Sequence, residues 1–165
     1  MSQPRPAKRL AQPTSRDKVY AAGFFDGEGF ITIAAKTVTG ARGLYYTMRV
    51  GAAQNNPRPL EWLQARWGGS VRAARRKTAA ANTTYVWMCF TRQAAAFLSN
   101  VLPHLQVKRR RALLALRFQK SVFNPGQGGH TQKHRELLAA FKAELNYLNT
   151  HKPAKKADLS ETITG

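Results

Sequence analysis

The alternation of apolar and polar residues changes period several times along this chain, and each change marks a predicted element. Apolar residues at helical spacing through Val19, Tyr20 and Phe24 predict a first helix that Ser15 or Asp17 can cap. Residues 31–38 and 44–54 then alternate with a period of two. They predict a hairpin with one apolar face and one polar, cationic face.

The remaining pattern predicts a second helix and hairpin and then three more helices. Asn56 is a candidate N-cap, with Pro57 as the first residue of a helix that buries Leu60, Trp62 or Leu63, and Trp67, and stops at Gly68 and Gly69. The later predicted elements are strands over 70–77 and 83–90 and helices over 91–101, 107–123 and 130–149. We therefore expect an α+β fold in which an α-β-β-α-β-β-α core is followed by C-terminal helices.

The predicted elements fall into a single domain over residues 15–150. Residues 1–14 contain three prolines with scattered Arg and Lys and predict a disordered basic arm, and residues 151–165 predict a flexible tail. A chain of 165 residues is long enough to bury one core.

The charge of the chain points to a polyanionic partner. The formal net charge is +19, and between Gly29 and Arg135 the only acid is Glu61, against eighteen Lys and Arg residues. Nucleic acid is the expected partner. A basic membrane-surface protein is the competing interpretation, but no lone amphipathic cationic helix or bilayer-length apolar span supports it.

The single cysteine, Cys89, lies in an apolar strand-like run and is interpreted as a core residue. One cysteine allows no disulfide within the chain, which fits an intracellular, reducing compartment. Whether that compartment is a eukaryotic organelle or the bacterial cytoplasm stays open.

The segment from Tyr20 to Phe30 joins the first helix to the first strand and carries unusual chemistry. Asp26 and Glu28 lie at a predicted helix C-terminus, whose partial negative charge disfavours acids, so a cation is expected nearby. Gly27 and Gly29 predict the helix end through their access to positive φ. Gly23 and Gly27 share one helix face, where a second backbone could approach closely.

Residues 21–29, AAGFFDGEG, resemble the nonapeptide of the LAGLIDADG homing endonucleases. Ala replaces the leading Leu, Phe replaces both central aliphatic residues, and Glu replaces the final acid. The predicted element order matches that family's core over roughly 90 residues, with a curved antiparallel sheet expected to bind DNA. Only one copy of the motif is present, so the resemblance implies the single-motif, homodimeric type.

The resemblance also implies a metal-dependent active site. Glu28 would ligate Mg²⁺, helped by the main-chain oxygen of Gly27, and Mn²⁺ would substitute for it. Asp26 could be a third ligand or could hold the helix end, and both roles stay open. Gln54, Arg58 and Lys108 stand where the family keeps a water-positioning polar residue, a basic residue of the solvent network and a catalytic lysine.

The polar sheet face and the basic run that follows Lys108 supply the candidate DNA contacts, because two-stranded ribbons fit the major groove. The candidates are Thr32, Lys36, Tyr45, Thr47, Arg49, Ser70, Arg72, Arg75, Arg76, Lys77, Arg109 and Arg110. Ala22, Gly23, Phe24 and Gly27 are the candidate dimer interface. The resemblance implies an intron-encoded enzyme that cuts both strands of a long, near-palindromic target and leaves short 3′ overhangs.

Other functions remain as alternatives. The same scaffold could serve a non-cleaving nucleic-acid binder, either an RNA-splicing maturase or a DNA-binding regulator. A general basic nucleic-acid chaperone would show no preferred site. A zinc-assisted nuclease could use His130 and His134, which are four residues apart, but suitably spaced partners are missing.

Overall fold

The computed structural model describes residues 10–38, 43–74, 83–122 and 131–151, apart from the side chain of Val38. The predicted turn at 40–43 and the tail after residue 151 therefore lie largely outside the described residues. So do most of the predicted N-terminal arm and the loop at 124–129. The last residues of that arm are described, and Ala11 N donates to the main-chain oxygen of Ala65 over 3.2 Å.

The first helix, α1, spans Ser15–Glu28, and its cap differs from the prediction. The N-cap is Thr14: its Oγ1 accepts from Asp17 N over 3.2 Å, and Asp17 Oδ2 accepts from Thr14 N over 2.8 Å. Ser15 is already helical, and Asp17 is the reciprocal partner of a capping box. The hydrogen bonds that the Asp17 carboxylate accepts from Thr14 N and Oγ1 lower the pKa of Asp17, so its contribution to stability is lost as the pH falls through that pKa.

The C-terminus of α1 also differs from the expectation. Gly29 is the C-cap with φ −83°, an extended conformation open to any residue, and Gly27 lies within the helix. What requires glycine at position 29 is space, because a Cβ there would lie 2.2 Å from Cδ2 of Phe25. The positive-φ glycines are Gly68 and Gly69, with φ values of 74° and 83°, where the second helix stops as predicted.

Within the described residues, four strands form one antiparallel sheet: β1 (Gly29–Val38), β2 (Gly43–Gln54), β3 (Ser70–Ala73) and β4 (Tyr85–Phe90). Their order in the sheet is β1-β2-β4-β3. The predicted faces of the first hairpin are confirmed, since Ile31 and Ile33 of β1 are buried, and so are Tyr46, Met48, Val50 and Ala52 of β2. The second hairpin is shorter than predicted within the described residues.

The other helices are α2 (Arg58–Trp67), α3 (Thr91–Val101), α4 (Arg109–Ser121) and α5 (Gln132–Thr150), with a short 3-10 turn at Leu102–His104. The N-cap of α2 is Pro57, one residue later than predicted, although Asn56 Oδ1 still accepts from Arg58 N over 3.0 Å. Leu60, Leu63 and Trp67 are buried. The predicted order, α-β-β-α-β-β-α followed by two helices, is confirmed.

One hydrophobic core lies between the helices and one face of the sheet. Its fully buried aromatic side chains include Phe25 of α1, Trp87 of β4 and Phe97 of α3. Burial raises the pKa of Cys89 to about 12, so the thiol remains protonated, as expected of a core residue. No helix in the described part of the chain has the length and apolarity to span a bilayer.

The capping box provides a test of how α1 is held. Thr14→Ala removes the acceptor for Asp17 N, and we expect it to lower the unfolding free energy by about 1 kcal/mol. That loss corresponds to roughly 2–4 °C in Tm for a chain of this size. Ser15→Ala is the matched control and should leave Tm unchanged or slightly higher. Equal losses for the two variants would contradict the assignment of Thr14 as the cap.

Candidate functional site

The side chain of Asp26, in the last turn of α1, accepts hydrogen bonds from the segment that leads into α4. Its Oδ2 accepts from Gln106 N over 2.7 Å and from Val107 N over 3.2 Å, and its Oδ1 accepts from Lys108 N over 2.9 Å. Both carboxylate oxygens are therefore engaged by backbone amides. Asp26 holds a chain segment, and this structural role, rather than metal ligation, is the one the structure supports.

Lys108 is the N-cap of α4 and a buried charged residue, with 8% of its surface exposed. Its Nζ donates to the main-chain oxygen of Asp26. This amine is the cation that the acidic helix end was expected to need. Burial lowers the pKa of Lys108 and Arg111 acts in the same direction, whereas Asp26 and Glu28 oppose them.

Glu28 is the last residue of α1, and its side chain is exposed. The last carbonyls of an α-helix lack intrahelical donors. In α1, the carbonyl of Phe25 accepts from Gly29 N and the carbonyl of Asp26 accepts from Lys108. The carboxylate of Glu28 and the carbonyl of Gly27 therefore offer oxygen donors of the kind that Mg²⁺ prefers. No group of three His, Cys, Asp or Glu side chains within the described ranges could hold a metal ion.

Gln54 and Arg58 lie near the same end of the sheet as Glu28. Gly29, which follows Glu28, pairs with Ala52, and Gln54 is two residues further along β2. Gln54 Oε1 accepts from Asn55 N over 2.8 Å. Arg58 opens α2 and is exposed, and it borders a cavity of about 490 Å³ that is also lined by Tyr20 and Trp62. The structure brings Asp26 and Lys108 into contact beside Glu28 at the end of α1, and shows no contact of Gln54 or Arg58 with these three among the described residues.

The sheet face opposite the core carries seven of the predicted DNA-contacting residues. Cross-strand pairing places Thr32 beside Arg49 and Lys36 beside Tyr45, and residues of this face alternate with buried ones. The seven are Thr32, Lys36, Tyr45, Thr47, Arg49, Ser70 and Arg72. No strand contains Asp or Glu. The face is therefore cationic without internal compensation, as a DNA-binding surface requires.

The remaining candidates for DNA contact lie elsewhere. Arg109 and Arg110 are exposed in the first turn of α4, and Arg109 Nη1 donates to the main-chain oxygen of Leu102 over 2.8 Å. They neighbour Lys108 and do not belong to the sheet. Arg75, Arg76 and Lys77 lie outside the described residues, as does His130 of the zinc alternative.

The sequence interpretation missed the apolar residues on the open sheet face. Val86, Met88 and Phe90 alternate with the buried Trp87 and Cys89, so they lie on the side away from the core. A signal was available, since β4 is apolar at every position, and a strand with no polar alternation has apolar residues on both faces. The face predicted to be polar is thus partly apolar.

Two of the four residues predicted to form a dimer interface lie on the exposed face of α1. Gly23 and Gly27 are exposed, and a Cβ at either would meet nothing within 4 Å. Val19 and Tyr20, which the prediction omitted, are 54% and 53% exposed. Ala22 is a correction, because it is fully buried in the core of its own chain and cannot face a partner. Phe24 is partly buried against that core.

The contacts of Asp26 lead to a prediction about the junction of α1 and α4. Asp26→Asn replaces a charged acceptor of three backbone hydrogen bonds, each stronger for its charge, and should lower the unfolding free energy by roughly 2 kcal/mol. Amide exchange at residues 106–108 should accelerate, as measured by hydrogen–deuterium exchange. Glu28→Gln is the matched control and should change neither, because Glu28 is exposed. If both variants behave alike, Asp26 does not hold the segment.

The fold is similar to those of several solved structures. The homing endonuclease I-CvuI, in complex with a DNA target, matches with a TM-score of 0.68 and 20% identity over 85% of this chain and 86% of its own. The archaeal intron-encoded homing endonuclease I-Vdi141I, complexed with DNA, gives 0.67 and 20% over 87% and 89%. The LAGLIDADG homing endonuclease I-SmaMI, bound to cleaved DNA, gives 0.63 and 15% over 88% of this chain and 49% of its own.

No protein-family model and no curated protein matches the sequence. The three-dimensional matches nevertheless cover most of the chain and agree with the resemblance of the nonapeptide. This chain has the fold of the LAGLIDADG homing endonucleases.

Proposed function

We propose that this chain is a site-specific double-strand DNA endonuclease that acts as a homodimer and requires Mg²⁺, for which Mn²⁺ can substitute. The position of Glu28 carries the proposal. It is an exposed carboxylate at the end of α1, two residues after Asp26, whose main-chain oxygen accepts from the buried Lys108 amine, and it lies at one end of an acid-free cationic sheet face. That combination suits hydrolysis of a phosphodiester held on the sheet.

The fold neighbours support a DNA substrate. I-CvuI and I-Vdi141I are complexed with DNA, and I-SmaMI is bound to cleaved DNA. The net charge of +19 and the basic sheet face of this chain fit the same polyanion. By analogy with that fold, the target is long and near-palindromic and the cut leaves short 3′ overhangs.

The oxygen donors of this chain fit a hard divalent cation. Glu28 and the main-chain oxygen of Gly27 would hold Mg²⁺, which keeps several of its waters and needs only one or two carboxylates. When bound, Mg²⁺ supplies Lewis-acid stabilisation of the phosphate and lowers the pKa of bound water. Asp26 is left out of this ligand set because its oxygens hold residues 106–108.

Three further residues would act on the substrate or its water. Lys108, held by the main-chain oxygen of Asp26, would place a positive charge against the charge that develops on the phosphate. The Gln54 amide would orient the attacking water from the end of β2. Arg58, exposed at the start of α2, would join the same solvent network.

A second copy of the chain would complete the site. One chain offers one exposed carboxylate at the motif, whereas cutting two strands needs two centres. The exposed face of α1 combines two glycines with exposed Val19 and Tyr20, which suits close packing against another helix. The match to I-SmaMI covers about half of that longer chain, consistent with this chain forming one half of an active assembly.

Glu28→Gln tests the proposed metal ligand. We expect the variant to bind the selected target with unchanged affinity and to lose cleavage in Mg²⁺ by at least about 100-fold, because the amide cannot replace the carboxylate as a ligand. Cleavage is measured by linearisation of a plasmid that carries the target. Glu61→Gln, an exposed acid on α2, is the matched control and should cut like the parent.

Cleavage by Glu28→Gln at the parental rate would show that Glu28 is not a required metal ligand. Specific binding by the wild-type chain without cleavage in Mg²⁺ or Mn²⁺ would instead favour the non-cleaving maturase or regulator. Binding without any preferred site would favour the nucleic-acid chaperone.

Gly23→Ala tests the dimer. In an isolated chain this exposed helical position should gain about 0.5–1 kcal/mol of stability, since Ala favours a helix and the added Cβ meets nothing. If a second α1 packs there, overpacking should weaken the dimer by roughly tenfold or more. Analytical ultracentrifugation measures the dissociation constant. Gly29→Ala is the contrasting variant, because its Cβ would clash with Phe25 inside the chain and lower Tm itself.

A wild-type chain that is monomeric at micromolar concentration with bound DNA would contradict the homodimer. So would a Gly23→Ala variant that gains stability and associates as strongly as the parent.

A further inference from the structure

The open sheet face contains a depression of about 130 Å³ whose apolar side chains have no role in the function proposed above. It is lined by Val86, Met88 and Phe90 of β4 and by Ser70 and Arg72 of β3. Ser70 pairs with Met88 and Arg72 pairs with Val86 across the two strands. The depression therefore combines three apolar side chains with one hydroxyl and one guanidinium.

Its surroundings extend both the apolar and the cationic character. On the adjoining β2, Gly51 pairs with Met88, and the Phe30 ring covers Gly51, where a Cβ would lie 2.5 Å from its Cζ. Arg49 pairs with Phe90. The described strands carry no acid, and the charged residues that pair with this apolar patch, Arg49 and Arg72, are both cationic.

The positive charge of the open sheet face favours DNA over a second copy of the chain as its binding partner. Two copies of this face would bring Arg49, Arg72 and Lys36 against their like-charged equivalents, which opposes self-association through the sheet. A DNA major groove supplies the complementary negative charge and admits a two-stranded ribbon. The occupant must also offer an apolar group at the floor of the groove.

Thymine is the base that meets this description. In the major groove it presents an acceptor, O4, beside an apolar 5-methyl group. Cytosine presents an amino donor and no methyl, and neither purine presents an apolar group there. The hydroxyl of Ser70 can donate to O4 while Val86 and Met88 contact the methyl.

We infer that Val86, Met88 and Phe90 read the 5-methyl group of a thymine in each half-site, with Ser70 donating to its O4. The inference rests on the proposed DNA-binding function and adds a specificity determinant to it. Gly51 lies three residues before Gln54, and its partner Phe30 lies two residues after Glu28. The thymine therefore belongs to the part of the half-site nearer the cut.

Uracil isolates the methyl group, because it keeps O4 and base pairing and lacks only that methyl. The full chain is first used with Ca²⁺ to select targets from a randomised duplex pool. Duplexes of the selected sequence are then made with each dT replaced singly by dU. Replacement at one inner position of a half-site should weaken binding by about 3- to 10-fold, the amount expected for one buried methyl.

Variants of the residues that line the depression test whether they cause the difference in affinity between dT and dU duplexes. With Val86→Thr and Met88→Ala the affinity ratio between dT and dU duplexes should approach about 1, whereas Arg72→Ala should weaken binding to both duplexes by the same factor. Circular dichroism checks folding, and if a variant fails to fold, the comparison of dT with dU in the wild-type chain decides alone.

Equal affinity of the wild-type chain for dT and dU at every position would overturn the inference and leave the proposed function standing. A selected consensus without thymine in its inner half would do the same, and so would an unchanged dT-to-dU ratio in both folded variants. Failure to bind any duplex DNA would overturn the proposed function together with the inference.

Discussion

Three backbone amides converge on the carboxylate of Asp26, and the arrangement of the candidate site depends on this junction. The amides belong to residues 106–108, which lead into α4, whereas Asp26 lies in the last turn of α1 some eighty residues earlier. The partial negative charge at the C-terminus of α1 thereby meets the partial positive charge at the N-terminus of α4. The unfavourable energy of an acid at the C-terminus of its own helix is offset by hydrogen bonds from the amides that precede a second helix.

The same junction explains why a lysine can be buried there. An ammonium group loses hydration when it is enclosed, and burial accordingly lowers the pKa of Lys108. Its hydrogen bond to the main-chain oxygen of Asp26 and the nearby carboxylates of Asp26 and Glu28 counter that cost. Because its main-chain nitrogen and its amine both contact Asp26, Lys108 has little freedom relative to the end of α1.

The two faces of the sheet have different roles: one packs against the helices, and the other is available to a ligand. One face is buried under the helices, and α5 is fixed to the edge strand where Asn149 Nδ2 donates to the main-chain oxygen of Ile31 over 3.0 Å. The other face remains open and carries cations on β1, β2 and β3. On β4 it carries apolar residues instead. The face can therefore contact both the phosphates and the methyl groups of a DNA major groove.

The sequence by itself determined the order of the elements, the buried faces of the first hairpin and the basic character of the open face, because period and composition report local geometry. A resemblance pointed to Glu28 and Lys108 as candidate site residues. Only the tertiary structure decided that Ala22 faces inward, because helical spacing alone does not say which residues of α1 the core covers. It alone gave Asp26 a structural role, since hydrogen bonds between residues eighty positions apart leave no trace in local periodicity.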